Sequence, residues 1–330
     1  MLTEFDVIER FFTRPRQTPY APSIMLGTGD DCALLNLAPN HHLAVSTDML
    51  VAGRHFFADT DPRGLGHKAL AVNLSDLAAM GATPRAFTLA LALPEARAQW
   101  LAPFSEGLFA LADQYDCELI GGDTTAGPLN LCLTVFGEIK HGQALTRAAA
   151  CVGDDIWVSG VLGDARLALG ALRQEWTVAT HDWPALQRAL EWPQPRIALG
   201  QALTGIAHAA LDLSDGLAGD LMHLVKRSKV NAIIEVDQLP RSAILEKQPL
   251  AIQQRCTLSG GDDYELCFTA PTNSRGALAA LAENLGLPLT RIGTITAFDP
   301  SKAQILWHTT NNTPLCAPLR GFDHFDTHVS

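Results

Sequence analysis

Apolar residues recur along this chain in two periods, one typical of helices and one typical of strands. Spacing of three to four residues predicts helices over 3–13, 68–80, 97–115, 162–172, 184–191, 197–207, 217–226 and 275–285. Short apolar runs predict strands at 42–46, 87–93, 117–120, 131–138, 156–159, 209–213, 266–268, 291–296 and 304–308. The interleaving of the two patterns indicates a mixed α/β fold.

The strand pattern restarts near the middle of the chain. A first run of strands and helices ends in the polar segment 142–147, and a new strand follows Val152. A length of 330 residues suits two domains of roughly 100 to 200 residues each. We therefore expect two α/β domains, covering residues 1–148 and 149–330.

Charge and cysteine content narrow the classes of function. The chain has 35 acidic residues against 24 Lys and Arg, a net charge of −11, which disfavours nucleic acid or an anionic membrane as the main partner. Seven scattered cysteines without a Cys-x-x-Cys pair favour buried, reduced thiols in a cytoplasmic protein. We expect Cys32 to be buried in this way. No basic, apolar leader begins the chain, and no apolar run reaches the ~20 residues of a membrane span.

Three acidic residues in the first half each follow or interrupt an apolar run. Asp48 is expected in a loop after the strand 42–46, and Asp123 directly after the strand 117–120. Asp76 lies on the predicted helix 68–80, where an unpaired carboxylate would be costly, so we expect it to meet a cation. Mg²⁺ prefers such oxygen ligands, with phosphates completing its shell. The first half therefore predicts a polyphosphate site.

Further acids are more ambiguous. Gly27-Thr-Gly29 is followed by two aspartates, a pattern that suits an ordinary turn as well as a site. Asp212-Leu-Ser-Asp-Gly216 suits a helix N-cap as well as a metal site. A third acidic centre lies at Gly260-Gly-Asp-Asp-Tyr-Glu265, whereas Gly153-Asp-Asp155 is interpreted as a plain turn.

Common phosphate-binding motifs are missing from the sequence. There is no Gly-x-x-x-x-Gly-Lys-Ser/Thr loop, no dinucleotide fingerprint and no protein-kinase His-Arg-Asp or Asp-Phe-Gly set. A phosphoryl transfer by this chain would therefore depend on metals held by carboxylates.

Six stretches in series resemble the thiamine-monophosphate kinases, a family related to aminoimidazole ribonucleotide synthetase. They are Gly29-Asp-Asp-Cys-Ala33, Ser46-Thr-Asp-Met-Leu-Val-Ala-Gly-Arg-His-Phe56, Lys68-Ala-Leu-Ala-Val-Asn-Leu-Ser-Asp-Leu-Ala-Ala-Met-Gly81, Gly121-Gly-Asp-Thr124, Asp212-Leu-Ser-Asp-Gly216 and Gly260-Gly-Asp-Asp-Tyr-Glu-Leu266. The resemblance implies a two-domain fold whose first domain dimerises through a β-barrel and whose second completes the site. It also implies direct transfer of the γ-phosphoryl group of ATP to thiamine monophosphate, with several Mg²⁺ and no acid–base catalyst.

The resemblance assigns roles to residues at matching positions. Metal ligands would be Asp31, Ser46, Thr47, Asp48, Asp76, Asp123, Asp212 and Asp215. ATP would contact Gly122, Asp123, Arg147 and Ser214, and thiamine monophosphate would contact His55, Asp262 and Phe322. Two positions depart from the family: Asp262 stands where Glu is usual, and Phe322 where Tyr or Trp is expected.

Other functions stay open at this point. A selenophosphate synthetase is disfavoured because it would want a reactive Cys and a Lys near the N-terminus, whereas the first ones here are Cys32 and Lys68. A purine-pathway synthetase, a metal-dependent phosphatase and a non-catalytic nucleotide-binding module would all use similar acids and glycines.

Overall fold

Residues 2–13, 22–302, 304–310, 315 and 321 are described by the structure, a computed structural model. The chain divides into two units. The first comprises Met1–Leu77 and Ala82–Ala144, and the second comprises Ala78–Gly81 and Leu145–Ser330. None of the described helices is long and apolar enough to cross a bilayer.

The described residues of the first unit form three helices and six strands. The helices are α1 (Glu4–Val7, continued as a π-helical turn over Ile8–Phe12), α2 (Pro62–Met80) and α3 (Ala98–Gln114). The strands are β1 (Ile24–Leu26), β2 (Leu34–Leu35), β3 (His41–Val51), β4 (Thr83–Leu93), β5 (Glu118–Ala126) and β6 (Asn130–Lys140). The predicted α3 is confirmed to within a residue at each end, and the predicted α2 begins six residues earlier than expected.

A four-stranded sheet in the order β3-β6-β4-β5 organises the first unit. β3 and β6 are antiparallel, as are β4 and β6, whereas β4 and β5 are parallel. Apolar side chains of alternate residues are buried, among them Leu89 and Leu91 of β4 and Leu131 and Leu133 of β6. The short antiparallel pair β1–β2 packs through Ile24 against the sheet near Ala86 and Ile120.

Two glycines allow α2 and α3 to cross at backbone contact. A Cβ atom on Gly66 of α2 would overlap the carbonyl oxygen of Phe104 in α3. A Cβ atom on Gly107 of α3 would in turn overlap the carbonyl oxygen of Arg63 in α2. Side chains at these two positions would force the helices apart, so both glycines are required by close packing.

The second unit contains a six-stranded sheet in the order β12-β9-β11-β7-β10-β8. All neighbours are antiparallel except β12 and β9. Its strands are β7 (Asp155–Ser159), β8 (Ala209–Asp212), β9 (Asn231–Glu235), β10 (Leu266–Ala270), β11 (Leu289–Thr296) and β12 (Ile305–His308). Its helices are α4 (Asp164–Leu172), α5 (Trp183–Glu191), α6 (Ile197–Leu203), α7 (Leu217–Ser228), α8 (Leu250–Ser259) and α9 (Arg275–Leu285).

The Gly-Asp-Asp turn before β7 has a structural role, in agreement with its interpretation from sequence. Asp155 is 1% exposed and accepts hydrogen bonds from Arg275, at 2.6 and 2.8 Å, and from Arg291 at 2.6 Å. The two guanidinium groups lower the pKa of the Asp155 carboxyl, with the Arg275 hydrogen bond as the largest cause. Burial of this carboxylate is therefore compensated by two cations.

Two predictions about the fold are wrong. Asp48 and Asp123 lie within strands and not after them, because β3 continues to Val51 and β5 to Ala126. The expectation that the thiols are buried holds for Cys117, Cys256 and Cys267, but Cys32 and Cys151 are exposed.

Mixed sheets with helices in both units confirm the α/β class, and the described strands of each unit form open sheets.

Candidate active site

Three predicted metal ligands are brought together on the face of β3 that packs against α2. The Ser46 hydroxyl donates a hydrogen bond to Asp76 Oδ2. Two residues further along β3, the Asp48 main-chain N–H donates to Asn73 Oδ1 at 3.1 Å. Asn73 is fully buried and also donates from Nδ2 to the Ala69 carbonyl at 3.0 Å, which fixes its side chain. The result is a cluster of hydroxyl and carboxylate oxygens of the kind that hard cations prefer.

Thr47 lies on the opposite face of β3 from Ser46 and Asp48, because side chains alternate along a strand. Its hydroxyl is 2.8 Å from that of Thr134, directly across the ladder in β6. The Thr47 side chain is therefore committed to a cross-strand contact away from Asp76. We therefore assign the predicted metal role to its main-chain carbonyl oxygen.

Gly122 and Asp123 lie in β5, at the other edge of the same sheet. Gly122 has φ of +150°, and a Cβ atom there would overlap the carbonyl oxygen of Leu89 in β4. Asp123 is exposed and pairs in register with Ala90. The glycine thus lets β5 approach β4 closely while the neighbouring carboxylate stays accessible.

Asp31 lies between β1 and β2 and is exposed. Its main-chain N–H donates a hydrogen bond to Oδ1 of the adjacent Asp30 at 2.9 Å. This local bond holds the two aspartates in a tight turn, which is consistent with the turn interpretation and leaves the ligand role of Asp31 a prediction.

His55 is half-buried just after the end of β3. The Val51 main-chain N–H donates to His55 Nδ1 at 2.9 Å, so Nδ1 is the unprotonated nitrogen in this arrangement. The imidazole is held by the strand end, and its remaining nitrogen, Nε2, is the one that would carry the proton.

The two acidic motifs of the second unit fold onto each other. Asp262 N–H donates to the Ser214 carbonyl at 2.9 Å, and Tyr264 N–H donates to the Leu213 carbonyl at 2.8 Å. Glycine is required at Gly261, where a Cβ atom would overlap the Ser214 carbonyl oxygen. These contacts bring Asp262 beside the segment that carries Asp212, Ser214 and Asp215, a juxtaposition that the sequence did not predict.

Asp220 holds the main chain of the Asp212-to-Gly216 motif in place and was not predicted as a site residue. It is 7% exposed, and its Oδ2 accepts hydrogen bonds from the main-chain N–H groups of Asp215, at 3.0 Å, and Gly216, at 3.1 Å. Burial, followed by the charges of Asp215 and Asp212, raises the pKa of Asp220 to about 8, whereas the charge of Arg147 opposes the rise. Its place in the first turn of α7, where acids are favoured, was the available signal.

The Asp220 carboxyl should make stability depend on pH. The folded protein keeps it protonated to about pH 8, whereas the unfolded chain ionises it near 3.8. Its contribution is therefore complete below pH 3.8 and is lost as the pH rises towards 8. Without metal, we expect the free energy of unfolding to fall by up to about 1.4 kcal/mol per pH unit between pH 6 and 8 from this group.

Denaturant titrations in EDTA at pH 6, 7 and 8 measure this slope. Asp220→Asn is the matched variant, because an amide oxygen accepts the same two N–H groups but does not titrate. We expect the variant to fold and to lose the Asp220 part of the slope. An identical slope in both proteins would contradict the raised pKa.

Each acid of the Asp262-Asp-Tyr-Glu265 motif has a different environment. Asp262 Oδ1 accepts a hydrogen bond from the Tyr264 hydroxyl at 3.1 Å. Burial raises the pKa of Asp263 well above its ordinary value, and its Oδ1 accepts the Gly163 N–H at 2.8 Å ahead of α4. Glu265 is 4% exposed and forms an ion pair with Arg196, with Ser159 donating at 2.5 Å. Of these three acids, Asp262 is the one that we expect to contact a ligand.

A separate cluster lies where β7 and β8 begin. In the described part of the chain, the side chains of Cys151, Asp154 and His208 form a group that could hold a metal ion. Their possible ligand atoms all lie within 4.8 Å of one another. Asp154 already accepts the Cys151 main-chain N–H at 2.9 Å and the His208 ring nitrogen at 2.9 Å. These two donors satisfy the buried carboxylate without a metal.

Phe322 lies outside the described residues, so its predicted contact with the substrate has no structural account. The residue before it, Gly321, packs against Gly219 of α7, where a Cβ atom on Gly219 would come within 2.7 Å of Gly321 Cα. The described part of the C-terminal segment thus reaches the Asp212-to-Gly216 motif.

The chain matches two family models. AIR synthase related protein, N-terminal domain, matches residues 29–139, and AIR synthase related protein, C-terminal domain, matches residues 152–305. The chain is 48% identical to "Thiamine-monophosphate kinase" of Salmonella typhimurium over 98% of both chains. Among solved structures, thiamine-monophosphate kinase from Stenotrophomonas maltophilia is 48% identical, with a TM-score of 0.83 over 93% of this chain and 96% of that one.

A second solved structure carries ligands. It is described as AaThiL complexed with AMPPCP and TMP, is 30% identical and has a TM-score of 0.75 over 87% of this chain and 89% of that one. The resemblance of the six motifs is confirmed by these matches over nearly the full length. The chain therefore belongs to the thiamine-monophosphate kinase family, within the AIR synthase related proteins.

Proposed function

We propose that this protein transfers the γ-phosphoryl group of ATP to the phosphate of thiamine monophosphate, giving thiamine diphosphate and ADP. Identity of 48% to curated thiamine-monophosphate kinases over 98% of the chain carries this proposal. The 30% identical relative in complex with AMPPCP and TMP supports the same pair of substrates.

The chemistry needs little from side chains as acids or bases. A phosphate oxygen of the acceptor is already a nucleophile at neutral pH, so positioning and neutralisation of charge can supply the catalysis. Two anions must approach each other in line, and their repulsion is the main barrier to overcome.

Mg²⁺ is the proposed cofactor, and the donors present fit it. Ser46, Asp48 and Asp76 offer only oxygen atoms, which hard divalent cations prefer over softer metals. The remaining proposed ligands are Asp31, Asp123, Asp212 and Asp215, with the Thr47 main-chain oxygen. Bound Mg²⁺ would neutralise phosphate charge and orient the transferred group.

The remaining proposed contacts with ATP and thiamine monophosphate are divided between the two proposed domains. In the proposed first domain, residues 1–148, we place dimerisation and most metal ligands, with Gly122 and Asp123 contacting ATP and His55 contacting thiamine monophosphate. In the proposed second domain, residues 149–330, we place Ser214 at ATP and Asp262 and Phe322 at thiamine monophosphate. Arg147, whose charge already acts on Asp220, would offer ATP a fixed cation.

A homodimer is the proposed assembly. Leu43, Val45 and Met49 of β3 are 41%, 55% and 53% exposed, which leaves an apolar stripe along an edge strand. Such edges are normally covered, because they otherwise promote aggregation. A second copy covering this sheet would bury the stripe. The cytoplasm is the proposed compartment, and neither nucleic acid nor membrane is a proposed partner.

Incubation with ATP, thiamine monophosphate and Mg²⁺ tests the reaction. Formation of thiamine diphosphate with an equal amount of ADP is the expected result. Free phosphate without thiamine diphosphate would support a phosphatase, and ATP binding without any product would support a non-catalytic module.

The Asp262 carboxylate should act on thiamine monophosphate and not on ATP. Tyr264→Phe removes the hydroxyl that orients this carboxylate, a bond worth about 1 kcal/mol. We expect the KM for thiamine monophosphate to rise by up to roughly tenfold, since 1.4 kcal/mol is a factor of ten. Asp262→Glu, which extends the carboxylate by one methylene, should change the same constant.

Steady-state kinetics with each substrate varied in turn measure both effects. The KM for ATP serves as the internal control and is expected to stay constant in both variants. A change confined to ATP would place Asp262 on the nucleotide side instead.

A further inference from the structure

A cluster of sulfur, nitrogen and oxygen donors lies in the second unit. It combines the Cys151 thiol, the Asp154 carboxylate and the His208 imidazole, whose possible ligand atoms all lie within 4.8 Å of one another. His208 precedes β8 and Asp212 ends it, so four steps of strand separate the two residues by roughly 13 Å. The cluster is therefore distinct from the Mg²⁺ ligands proposed in the Asp212-to-Gly216 motif.

Cys151 and Asp154 are the two ends of one tight turn. The Asp154 N–H donates to the Cys151 carbonyl at 3.0 Å, and Gly153 supplies the positive φ, +92°, that a turn of this kind requires at its third residue. The Cys151 N–H in turn donates to Asp154 Oδ2 at 2.9 Å. These two bonds keep the residues that carry the thiol and the carboxylate close together.

Neighbouring strands hold the turn and the imidazole in place. The Gly153 N–H donates to the Ile295 carbonyl at 2.9 Å, and the Ile295 N–H donates to the Asp154 carbonyl at 2.8 Å, which ties the turn to β11. The His208 N–H donates to the Thr269 carbonyl of β10 at 2.8 Å. Because β7 lies between β10 and β11 in the sheet, the donors are positioned by packed strands, as precise metal sites require.

The donor set fits Zn²⁺ better than Mg²⁺. Thiolate, imidazole and carboxylate are the three ligand types that Zn²⁺ takes, whereas Mg²⁺ takes oxygen ligands. Asp154 Oδ1 is 2.9 Å from His208 Nδ1, and two ligands of a tetrahedral Zn²⁺ are about 3.3 Å apart. An outward shift of about 0.4 Å would admit the metal. The His208 side chain is 39% exposed and has room for this shift.

We propose that Cys151, Asp154 and His208 bind one Zn²⁺ or a similar divalent transition metal, with water as the fourth ligand. Cys151 is exposed, so the metal can reach the thiol from solvent. On binding, the thiol releases its proton and its contact with the Ala149 carbonyl, while the imidazole keeps one proton on Nε2. The Cys151 N–H stays bonded to Asp154 Oδ2 and orients the carboxylate, as outer contacts do in metal sites. The metal would fasten the start of β7 to the start of β8 and so stabilise the second unit.

Titration of the EDTA-treated and dialysed protein with Co²⁺, a spectroscopic substitute for Zn²⁺, tests this site. A sulfur ligand gives a thiolate-to-cobalt charge-transfer band in the near ultraviolet, which the oxygen donors proposed for Mg²⁺ cannot give. We expect one equivalent of Co²⁺ to produce the band in the wild-type protein and Cys151→Ser to lose it. His208→Gln should weaken Co²⁺ binding at least about tenfold, because changes in outer contacts alone cost about 10- to 100-fold.

Cys32→Ser is the matched control, because Cys32 is also an exposed thiol, and this variant should keep the band. Circular dichroism should match the wild type in all three variants and so confirm that they are folded. Zn²⁺ at a hundredfold excess over its Kd should raise Tm by about 5 to 10 °C more in the wild type than in Cys151→Ser. A wild-type protein without the band, or a band that persists in Cys151→Ser, would overturn the metal site.

Discussion

Gly122→Ala should destabilise the first unit and abolish turnover. The new Cβ atom would overlap the Leu89 carbonyl oxygen, and φ of +150° is rarely adopted by residues with a side chain. Overpacking and backbone strain each cost about 1 to 3 kcal/mol, so the free energy of unfolding should fall by about 2 to 6 kcal/mol. β5 would have to move away from β4 and would carry Asp123 with it. Thermal unfolding and a thiamine diphosphate assay measure the two effects.

The adjacent glycine provides the control. A Cβ atom on Gly121 would meet only the Thr88 methyl group at 3.9 Å, which is ordinary contact. Gly121→Ala should therefore unfold near the wild-type temperature. Equal behaviour of the two variants would show that the close approach of β5 and β4 does not constrain position 122.

Asp48→Asn should reduce turnover by about a thousandfold or more, which corresponds to roughly 4 kcal/mol of transition-state stabilisation. The substitution removes one negative charge from the oxygen cluster with Ser46 and Asp76 while keeping the side-chain shape. The fold should be retained, because the bond to Asn73 comes from the Asp48 main chain. Turnover measured over a range of Mg²⁺ concentrations should show weaker activation by the metal.

Thr47→Val is the neighbouring control on the same strand. Valine keeps the branched shape and removes only the hydroxyl that contacts Thr134. Turnover close to wild type is expected, since a main-chain oxygen would be unaffected. Normal turnover of Asp48→Asn at ordinary Mg²⁺ would remove Asp48 from the metal set, and a large loss in Thr47→Val would assign the hydroxyl a direct role.

Helices with a clear apolar face could be predicted from the sequence, but the strand ends could not. α3 buries Leu101, Phe104, Leu108 and Leu111 at helical spacing, and its predicted limits were correct to a residue. In β3 the apolar run is interrupted at Ser46, although pairing with β6 continues to Val51. Ladder hydrogen bonds come from the main chain, so polar side chains do not end a strand whose neighbour continues.

The candidate site shows the same limit. The acids of the first unit could be found because each interrupts an apolar run, and the contact of Ser46 with Asp76 agrees with a cluster there. The pairing of Asp262 with Ser214 could not be found, because it depends on main-chain bonds between distant segments. Asp220 and Tyr264 were also missed, because their roles depend on side-chain hydrogen bonds to residues that the fold positions: Asp220 accepts from the Asp215 and Gly216 N–H groups, and the Tyr264 hydroxyl donates to Asp262.

The reciprocal glycines of α2 and α3 bear on how the enzyme would work. With Gly66 and Gly107 seated against the opposite backbone, α2 can neither roll about its axis nor shift along it without a steric clash. The turn that carries Asn73 and Asp76 is consequently a fixed platform. Conformational changes during a catalytic cycle must then occur in the substrates and in the loops around them. Substitutions that loosen this helix crossing should raise the reorganisation energy of the reaction before they unfold the protein.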